Sequence, residues 1–350
     1  MELVTALPAD LPLTRVADLA RRAESLGFDV LHVPETVHDP FVMSALALEH
    51  TSALVVRTSM VVAFARSPMV TALSAWDLAG FSGGRFQLGV ASQVRGNIVG
   101  RFSAVWENPV TQLRDYVGAL RAIFTSFETG APLRFDGRHY RFDRLQPYFT
   151  PAPLRTPPPS IWMGGVGEQM LALAGEVADG LVCHPTASHP RLIAERTAPA
   201  VAVGIARAGR VDGGPRLIAN ARPITGRTQA DVARARAAQL REFAFLYTTP
   251  AYRGQLELFG LAGLGERLHA MAADDDWSGL EAALPPEVLD VLVPQGTYDE
   301  LPAVLRDRYA GRCDGLNIPL PADPADDGVL AAALDAIRTI PTRTTAAAAG

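Results

Sequence analysis

The stretch HVPETVHDPF, residues 32–41, places two histidines and two carboxylates close together in the chain. The apolar run at its start predicts a strand, so His32 is predicted to lie in the core. Glu35, His38 and Asp39 follow the end of that strand. Asp39 precedes a proline and is predicted to begin the next helix. A helix start does not need an imidazole. His38 and the nearby Glu35 are therefore the candidate functional residues, since their types suit them to handle a proton.

A second group of polar residues follows an apolar run in GGRFQLGVASQVRGN, residues 83–97. Ser92, Gln93 and Arg95 come after this run, together with Asn97. Glycines on both sides allow a ligand to approach the backbone closely. These side chains are candidates for hydrogen bonds to a ligand, although small polar residues also end many strands that bind nothing.

A third group is rich in glycine and lies between a predicted strand and a predicted helix, in MGGVGE, residues 163–168. A helix N-terminus with exposed N–H groups and no obstructing side chains is a usual binding place for phosphate. The spacing is not that of the dinucleotide-binding GxGxxG pattern, and Glu168 would repel a dianion if it pointed inward. We predict a phosphate-binding turn at Gly164, Gly165, Val166 and Gly167, with a tight turn that binds no ligand as the alternative.

The last group is DGLVCHP, which places His184 at the end of another predicted strand. A buried histidine at the rim of the fold and a functional histidine are equally compatible with this position. Cys183 precedes it inside the strand, so its side chain is expected to face the opposite way. The spacing of histidine, cysteine and acidic residues does not resemble a zinc site, and no metal is predicted.

All four groups follow strands in a chain where short apolar runs alternate with helical patterns. Eight such strand–helix pairs predict a (β/α)8 TIM barrel of the α/β class, whose strand ends gather the reacting groups at one face. We predict a single barrel domain over residues 1–340, with excursions at about 129–159, between strands 4 and 5, and at 247–296, before strand 8. Residues 341–350 are predicted to be disordered. The predicted strands are residues 3–7, 30–33, 59–64, 86–90, 161–163, 181–183, 217–224 and 316–320.

The composition excludes several classes of protein. With 350 residues, 48% hydrophobic and 20% charged, the chain can form a sizeable core. The net charge of −5 and the absence of a basic block argue against a nucleic-acid partner. The sequence contains no lysine, which excludes Schiff-base and P-loop lysines. No apolar run is long enough for a membrane span, and the first residues do not form a signal peptide, so a cytoplasmic protein with two reduced cysteines is expected.

Several longer segments resemble the bacterial luciferase-like oxidoreductase superfamily, and in particular its coenzyme F-420-dependent branch from actinobacteria. The resemblance covers nearly the whole chain. The segments that carry it are FDVLHVPETVHDPF, VVAFARSPMVTALSAWDLAGFSGGRFQLGVASQ, LRDYVGALRAIF, GGVGEQMLALAGEVADGLVCHP and TTPAYRGQLELFG. One departure concerns the acid that ends the second strand. Several relatives have a histidine directly after it, whereas here that place is Thr36 and the histidine is His38.

The resemblance implies a deazaflavin or flavin that lies across the strand ends. It implies a cis peptide within residues 60–64, behind the cofactor ring, with Ala63 and Phe64 as ring contacts. The glycine turn corresponds to the family's phosphate site. The segment Ser92–Asn97, with Gln93 and Arg95, corresponds to the fourth-strand loop beside the ring and the ribityl chain, and His184 is a further cofactor contact. Arg66, Arg95 and Arg101 are candidates for the oligoglutamate tail. Relatives are commonly dimers, so a homodimer is also suggested.

These observations predict an oxidoreductase that transfers a hydride between coenzyme F-420 and a small organic substrate. In this hypothesis His38, with Glu35 nearby, handles the accompanying proton. Two alternatives remain open from the sequence. The first is an FMN-dependent monooxygenase on the same fold, and the second is a barrel that binds a cofactor without catalysis.

Overall fold

The computed structural model describes residues 1–211, 213–277 and 279–344. Its strands, in chain order, are β1 (Glu2–Ala6), β2 (Val30–Val33), β3 (Val55–Thr58), β4 (Val61–Val62), β5 (Phe86–Ala91), β6 (Phe135–Asp136), β7 (Arg141–Phe142), β8 (Ile161–Gly165), β9 (Gly180–Cys183), β10 (Arg216–Ala219), β11 (Ile224–Gly226), β12 (Gln295–Thr297) and β13 (Gly315–Asn317).

Nine of these strands form one parallel sheet in the order β3-β2-β1-β13-β10-β9-β8-β5-β4. The sheet closes because β3 also pairs with β5, through Val56 and Phe86. Both β3 and β4 pair with β5, one after the other along its length. They therefore count as one barrel strand, and the barrel has eight strands. The predicted (β/α)8 barrel is therefore confirmed.

The helices surround this barrel. They are α1 (Val16–Ser25), α2 (Pro40–Glu49), α3 (Pro68–Phe81), α4 (Pro109–Thr129), α5 (Glu168–Val177), α6 (Pro190–Leu192), α7 (Ala198–Arg207), α8 (Gln229–Leu246), α9 (Pro250–Glu257), α10 (Ala262–Ala273), α11 (Leu280–Ala283), α12 (Glu287–Leu292), α13 (Leu301–Tyr309) and α14 (Asp327–Arg338). No helix in the described part of the chain is both long and apolar enough to cross a membrane.

Local sequence explains where helices α2 and α3 begin. Each starts with a proline that follows a capping side chain, because proline at the first helical position loses no hydrogen bond. Asp39 accepts hydrogen bonds from the N–H groups of Phe41 and Val42, and Ser67 accepts one from Met69. The prediction that Asp39 caps a helix is confirmed.

Side chains alternate between two cores. Outward-facing residues of the strands pack against the helices in the main core. Inward-facing residues form a small cluster inside the barrel, made of Val4, Val30, Trp162, Val182 and Ile218. Cys183 belongs to the outer core, as its position next to Val182 predicted.

The N-terminal end of the barrel interior is closed by a buried arginine. The Arg57 guanidinium donates hydrogen bonds to Glu2 Oε1 at 2.9 Å and to Gln87 Oε1 at 2.7 Å, and its Nη1 lies 3.1 Å from His32 Nε2. It lies over the Trp162 ring, 3.4 Å from the centroid. Burial lowers the pKa of Arg57 to about 10, although Glu2 opposes the shift. His32 is thus a core residue, as predicted, and its partner is this arginine.

Five predicted strands differ from the structure by one to three residues at an end, and two others differ more. The third begins at Val55 rather than at residue 59, because the alternation VVRT pairs with β2 and the chain then turns at a cis peptide between Ser59 and Met60. The seventh, predicted over residues 217–224, is split into β10 and β11. Arg222 lies between them with φ of +43° and precedes a proline, and β11 pairs with β12 outside the barrel.

Two long segments lie outside the barrel. Residues 130–160 carry the β6–β7 hairpin. Helices α9 to α12 pack with α8 around a separate hydrophobic cluster that includes Phe243, Tyr247 and Leu268. Of the predicted disordered tail, residues 345–350 lie outside the described residues. Arg343 in the described part bonds to Asp314 and to the carbonyl of Pro215.

Candidate functional site

The carboxyl ends of the barrel strands form a mouth with two unlike halves. Side chains two positions apart on a strand face the same way. Ala6 follows Val4, Ala91 follows Gly89, and Gly164 follows Trp162 toward the mouth, so the β1, β5 and β8 side presents small residues. Ala6 is exposed and Ala91 and Gly164 are half-buried, so these small residues are accessible from the mouth. Met60 packs closely on Gly164, since a Cβ there would meet Met60 Cγ at 3.0 Å.

The opposite half of the mouth is polar. Val182 and Ile218 face the barrel interior and pair in register, so His184 and Asn220, two positions further on, face the mouth on neighbouring strands. The His184 backbone stays extended, with φ of −64° and ψ of 148°. Asn317 of β13 follows the inward-facing Gly315 in the same way. The mouth therefore combines an open, small-residue floor with a row of neutral polar side chains.

Glu35 is held in an ion pair at this mouth. Its side chain is only 5% exposed, and its carboxylate accepts bonds from Arg66 Nη1 at 2.6 and 2.9 Å and from the Val62 N–H at 2.7 Å. Arg66 also binds Asp39. Burial lowers the pKa of Arg66, but the bonds to Glu35 and Asp39 outweigh this and raise it. The pair ties the loop after β2 to the turn after β4.

His38 lies in the same loop, half-buried. Among the described residues its ring has no hydrogen-bond partner, in contrast to the carboxylates on either side of it. The loop itself is fixed, because Arg101 Nη2 donates to the Thr36 carbonyl and the Thr36 hydroxyl donates to the Ala9 carbonyl. A rigid loop thus carries an imidazole whose nitrogens are free to contact a ligand.

The residues after β4 and β5 form the wall beside the small-residue floor. Ala63 and Phe64 are buried in a 3₁₀ turn directly after β4, and the Phe64 ring meets Trp106 edge-on at 5.8 Å. The cis peptide Ser59–Met60 precedes this turn, one bond ahead of the segment in which it was predicted.

The loop after β5 bonds largely to itself. Ser92 Oγ donates to the Gln93 carbonyl, and Gln93 Oε1 accepts from the Val94 N–H. Gln93 has φ of +60°. Arg95 is exposed and lies at the start of the following π-helical turn. The Ser92 hydroxyl oxygen can still accept a hydrogen bond and the Gln93 side-chain NH2 can still donate one, so both can contact a ligand while keeping these local bonds.

The glycine turn leaves the N-terminus of α5 open. Gly167 is the N-cap residue and supplies no capping side chain, so the first N–H groups of α5 lack an intrahelical partner. A Cβ at Gly167 would meet no atom within 4 Å, whereas one at Gly165 would clash with Met170 Cγ at 2.6 Å. Val166 is half-buried and Glu168 is exposed. Gly165 is required for packing, and Gly167 leaves space for an anion.

His184 is fixed in one orientation by Thr186. Its Nδ1 accepts from the Thr186 N–H at 3.4 Å and lies 2.8 Å from the Thr186 hydroxyl. Burial, followed by the charge of Arg222, lowers the pKa of His184 to about 4. Its ring stacks on Tyr252 of α9, with 4.1 Å between centroids. His184 is therefore a neutral imidazole, covered by a helix of the second excursion.

Sequence reasoning missed Asn220 and Tyr252. Asn220 could have been found by extending the alternation of β10 one residue past its end. Tyr252 lies more than 60 residues from its stacking partner, and no local pattern signals that contact. The described residues contain no group of three or more histidines, cysteines or carboxylates that could hold a metal ion.

These features fit a phosphate-bearing, flat-ringed cofactor. The uncapped α5 N-terminus matches an anion, and the floor of small residues matches a planar ring. Both features lie on adjoining strands, β8 and β5.

Comparison with known proteins agrees with this geometry. The family model "Luciferase-like monooxygenase" matches residues 1–314. An uncharacterized protein of Mycobacterium bovis is 38% identical over 302 residues, covering 86% of this chain and 88% of its own. The 5,10-methylenetetrahydromethanopterin reductase of Methanolobus tindarius is 30% identical over 209 residues, 58% of this chain and 59% of its own.

Two solved structures share the fold. The coenzyme F420 dependent tetrahydromethanopterin reductase of Methanopyrus kandleri has a TM-score of 0.78 at 17% identity, over 97% of this chain and 99% of that one. The oxygenating constituent of 3,6-diketocamphane monooxygenase from Pseudomonas putida, in complex with FMN, has a TM-score of 0.66 at 15% identity, over 98% of each chain. With the family match over nine-tenths of its length, the chain belongs to the luciferase-like monooxygenase family.

Proposed function

We propose that this protein is an oxidoreductase that transfers a hydride between coenzyme F-420 and a small organic substrate. The carrying observation is that an uncapped helix N-terminus, a floor of small residues and an imidazole without a hydrogen-bond partner among the described residues all follow strands at the mouth end of the barrel. Support for F-420 comes from the coenzyme F420 dependent tetrahydromethanopterin reductase that shares this fold.

The cofactor phosphate would contact the N–H groups after Gly167, and Gly164, Gly165 and Val166 would line its path. The ring would lie on the small-residue floor, against Ala63 and Phe64. When bound, the deazaflavin supplies a carbon that donates or accepts a hydride.

His38 holds or moves the proton that accompanies the hydride. Among the described residues its ring nitrogens have no hydrogen-bond partner, so they are available to give a proton to, or take one from, an oxygen placed over the mouth. Help of this kind contributes about 10²–10⁴-fold in rate. Glu35 acts as a positioning residue, because Arg66 and the Val62 N–H occupy its carboxylate. Glu35 holds the loop that carries His38 against the end of β4 and the turn that follows it.

Binding measurements test this proposal directly. The full chain is titrated with coenzyme F-420 and separately with FMN, and the dissociation constants are compared. We expect F-420 to bind more tightly, and the bound cofactor to be reduced by at least one member of a panel of simple alcohols. Tighter binding of FMN, with oxygen uptake when the flavin is reduced, would favour the monooxygenase alternative. Bound F-420 that exchanges no hydride with any member of the panel would favour a barrel without catalysis.

A further inference from the structure

His184 and Asn220 form a matched donor and acceptor at the polar half of the mouth. The Thr186 N–H can only donate, so His184 Nδ1 accepts and the ring proton is on Nε2. Nε2 has no partner among the described residues. Asn220 Oδ1 is a buried acceptor that is also without a partner. A buried polar atom left unbonded destabilises the free protein, so a ligand that satisfies it gains affinity.

We propose that His184 and Asn220 together bind a hydroxyl group of the substrate, on the side of the mouth opposite His38. His184 Nε2–H donates to the hydroxyl oxygen, and the hydroxyl proton is donated to Asn220 Oδ1. The inference rests on the proposed function only in taking the bound molecule to be the enzyme's substrate.

The spacing of the strands suits a single bridging oxygen. Neighbouring strands lie about 4.8 Å apart, and hydrogen bonds span about 2.8 Å. For two side-chain atoms separated by this strand spacing, a shared oxygen makes an angle of roughly 120° between its two bonds, which a hydroxyl accepts. A carbonyl or an ether accepts one bond and leaves Asn220 Oδ1 unpaired.

The surroundings indicate an uncharged substrate with an apolar body. Arg222, the cation near His184, is paired with Glu242 and is therefore not free for a carboxylate. The Tyr252 ring provides an apolar wall over the imidazole. In the order of the sheet β9 is the fourth strand from β2, and the loop after β2 carries His38. The hydroxyl bound by His184 and Asn220 is therefore a different group from the substrate oxygen that exchanges a proton with His38.

Three simple probes test this assignment without turnover. Cyclohexanol, methoxycyclohexane and cyclohexanecarboxylate are titrated into the full chain, with and without F-420, and binding is followed by ligand-observed NMR. We expect cyclohexanol to bind about tenfold more tightly than the ether, which cannot donate, and the carboxylate to bind no better than the ether. Equal binding of alcohol and ether, or tightest binding of the carboxylate, would overturn the proposal.

Three variants assign the preference to these residues. His184→Phe keeps the stack on Tyr252 but removes the donor, and Asn220→Leu removes the acceptor. Both are expected to abolish the preference for the alcohol. Removing an unsatisfied buried amide is not expected to lower the melting temperature, so Asn220→Leu separates binding from folding. His189→Phe is the matched control, since His189 also accepts a helix N–H at Nδ1 and packs on Phe259 away from the mouth.

The variants also separate this inference from the proposed function. A chain that binds no F-420 but prefers the alcohol would contradict the proposed function alone. Variants that keep the alcohol preference of the unmodified chain would contradict the inference alone. A loss of F-420 affinity in His184→Phe, with the alcohol preference intact, would place His184 in the cofactor site and overturn the pair as a substrate contact.

Discussion

At the scale of single residues, the loop after β2 separates two roles that its sequence does not distinguish. Glu35 and His38 are both close to a strand end, yet only Glu35 is committed to an ion pair. Its partner Arg66 is 31 residues away and reaches it through a turn that no local pattern describes. The unpartnered imidazole beside this pair is therefore the group to which proton transfer is assigned.

Replacing His38 with alanine is expected to lower turnover about 10²–10⁴-fold, because the proton partner is lost. The F-420 dissociation constant should stay within about twofold, since His38 is assigned no contact with the phosphate or the ring floor. The measurement is the rate at which bound F-420 is reduced by the best alcohol of the panel. Added imidazole should restore part of the rate.

His50→Ala serves as the control for this variant. His50 is exposed at the far end of α2 and bonds to the Leu46 carbonyl, so its loss should leave the rate unchanged. A His38→Ala enzyme with turnover within a factor of two of the unmodified enzyme would show that His38 is not the proton partner.

At the scale of elements, what could be predicted from the sequence depended on how local the signal was. The strand Val30–Val33 matches its predicted bounds because its short apolar run marks it within a few residues. The third strand was displaced because its middle contains a turn at Ser59, and pairing with β2, which is distant in sequence, decides where it begins. Tyr252 escaped prediction for the same reason, since its stacking partner His184 is distant in sequence.

At the N-terminus of helix α5, one substitution should raise the stability of the fold and weaken the binding of F-420. In Gly167→Asp the backbone, with φ of −84°, accepts a side chain, and the carboxylate caps the helix. Capping and the helix dipole should add on the order of 0.5 kcal/mol to the free energy of unfolding. The same charge should repel the cofactor phosphate and weaken F-420 binding at least about tenfold. Thermal melting and cofactor titration measure the two effects.

Gly167→Ser gives the matched comparison for α5, because serine caps the helix without a charge. It should stabilise the fold and weaken F-420 binding much less than aspartate does. If Gly167→Asp binds F-420 as tightly as the unmodified chain, the phosphate does not lie at this turn.

The buried arginine inside the barrel predicts a large loss of stability. In Arg57→Met, Glu2 keeps only its ion pair with Arg216. His32 and Gln87 lose their hydrogen-bond partner at a fully buried position. Breaking a buried pair by removing one member costs about 3–5 kcal/mol, which urea unfolding can measure. Arg21→Met removes an exposed pair with Asp18 and should have a much smaller effect. Similar losses in both variants would contradict a structural role for the Arg57 cluster.

At the scale of the whole molecule, the outer faces of α2 and α3 are where we expect a second copy of the chain to bind. Val42, Val70, Leu73 and Phe81 are all more than a third exposed on these two neighbouring helices. Single exposed apolar residues are normal, but a continuous patch marks an interface. We expect a dimer in sedimentation experiments, and a monomer for Val70→Glu combined with Leu73→Glu. Val203→Glu on α7, equally exposed but outside the patch, should remain dimeric, and a monomeric unmodified chain would contradict the interface.

The stability of the whole chain should also depend on pH through its buried histidines. Burial lowers the pKa of His184 and His189 to about 4, and that of His32 well below its usual value. In the unfolded chain a histidine binds a proton below pH of about 6.5. Between these values the unfolded state holds more protons, so the free energy of unfolding falls as the pH is lowered from about 6.5 to about 4. Each histidine contributes at most about 2 kcal/mol between pH 7 and pH 5.

Urea midpoints measured at both pH values for the unmodified chain and for His189→Phe isolate the contribution of His189. The variant should lose less stability on acidification, and equal losses in the two proteins would show that His189 is protonated equally in the folded and unfolded states.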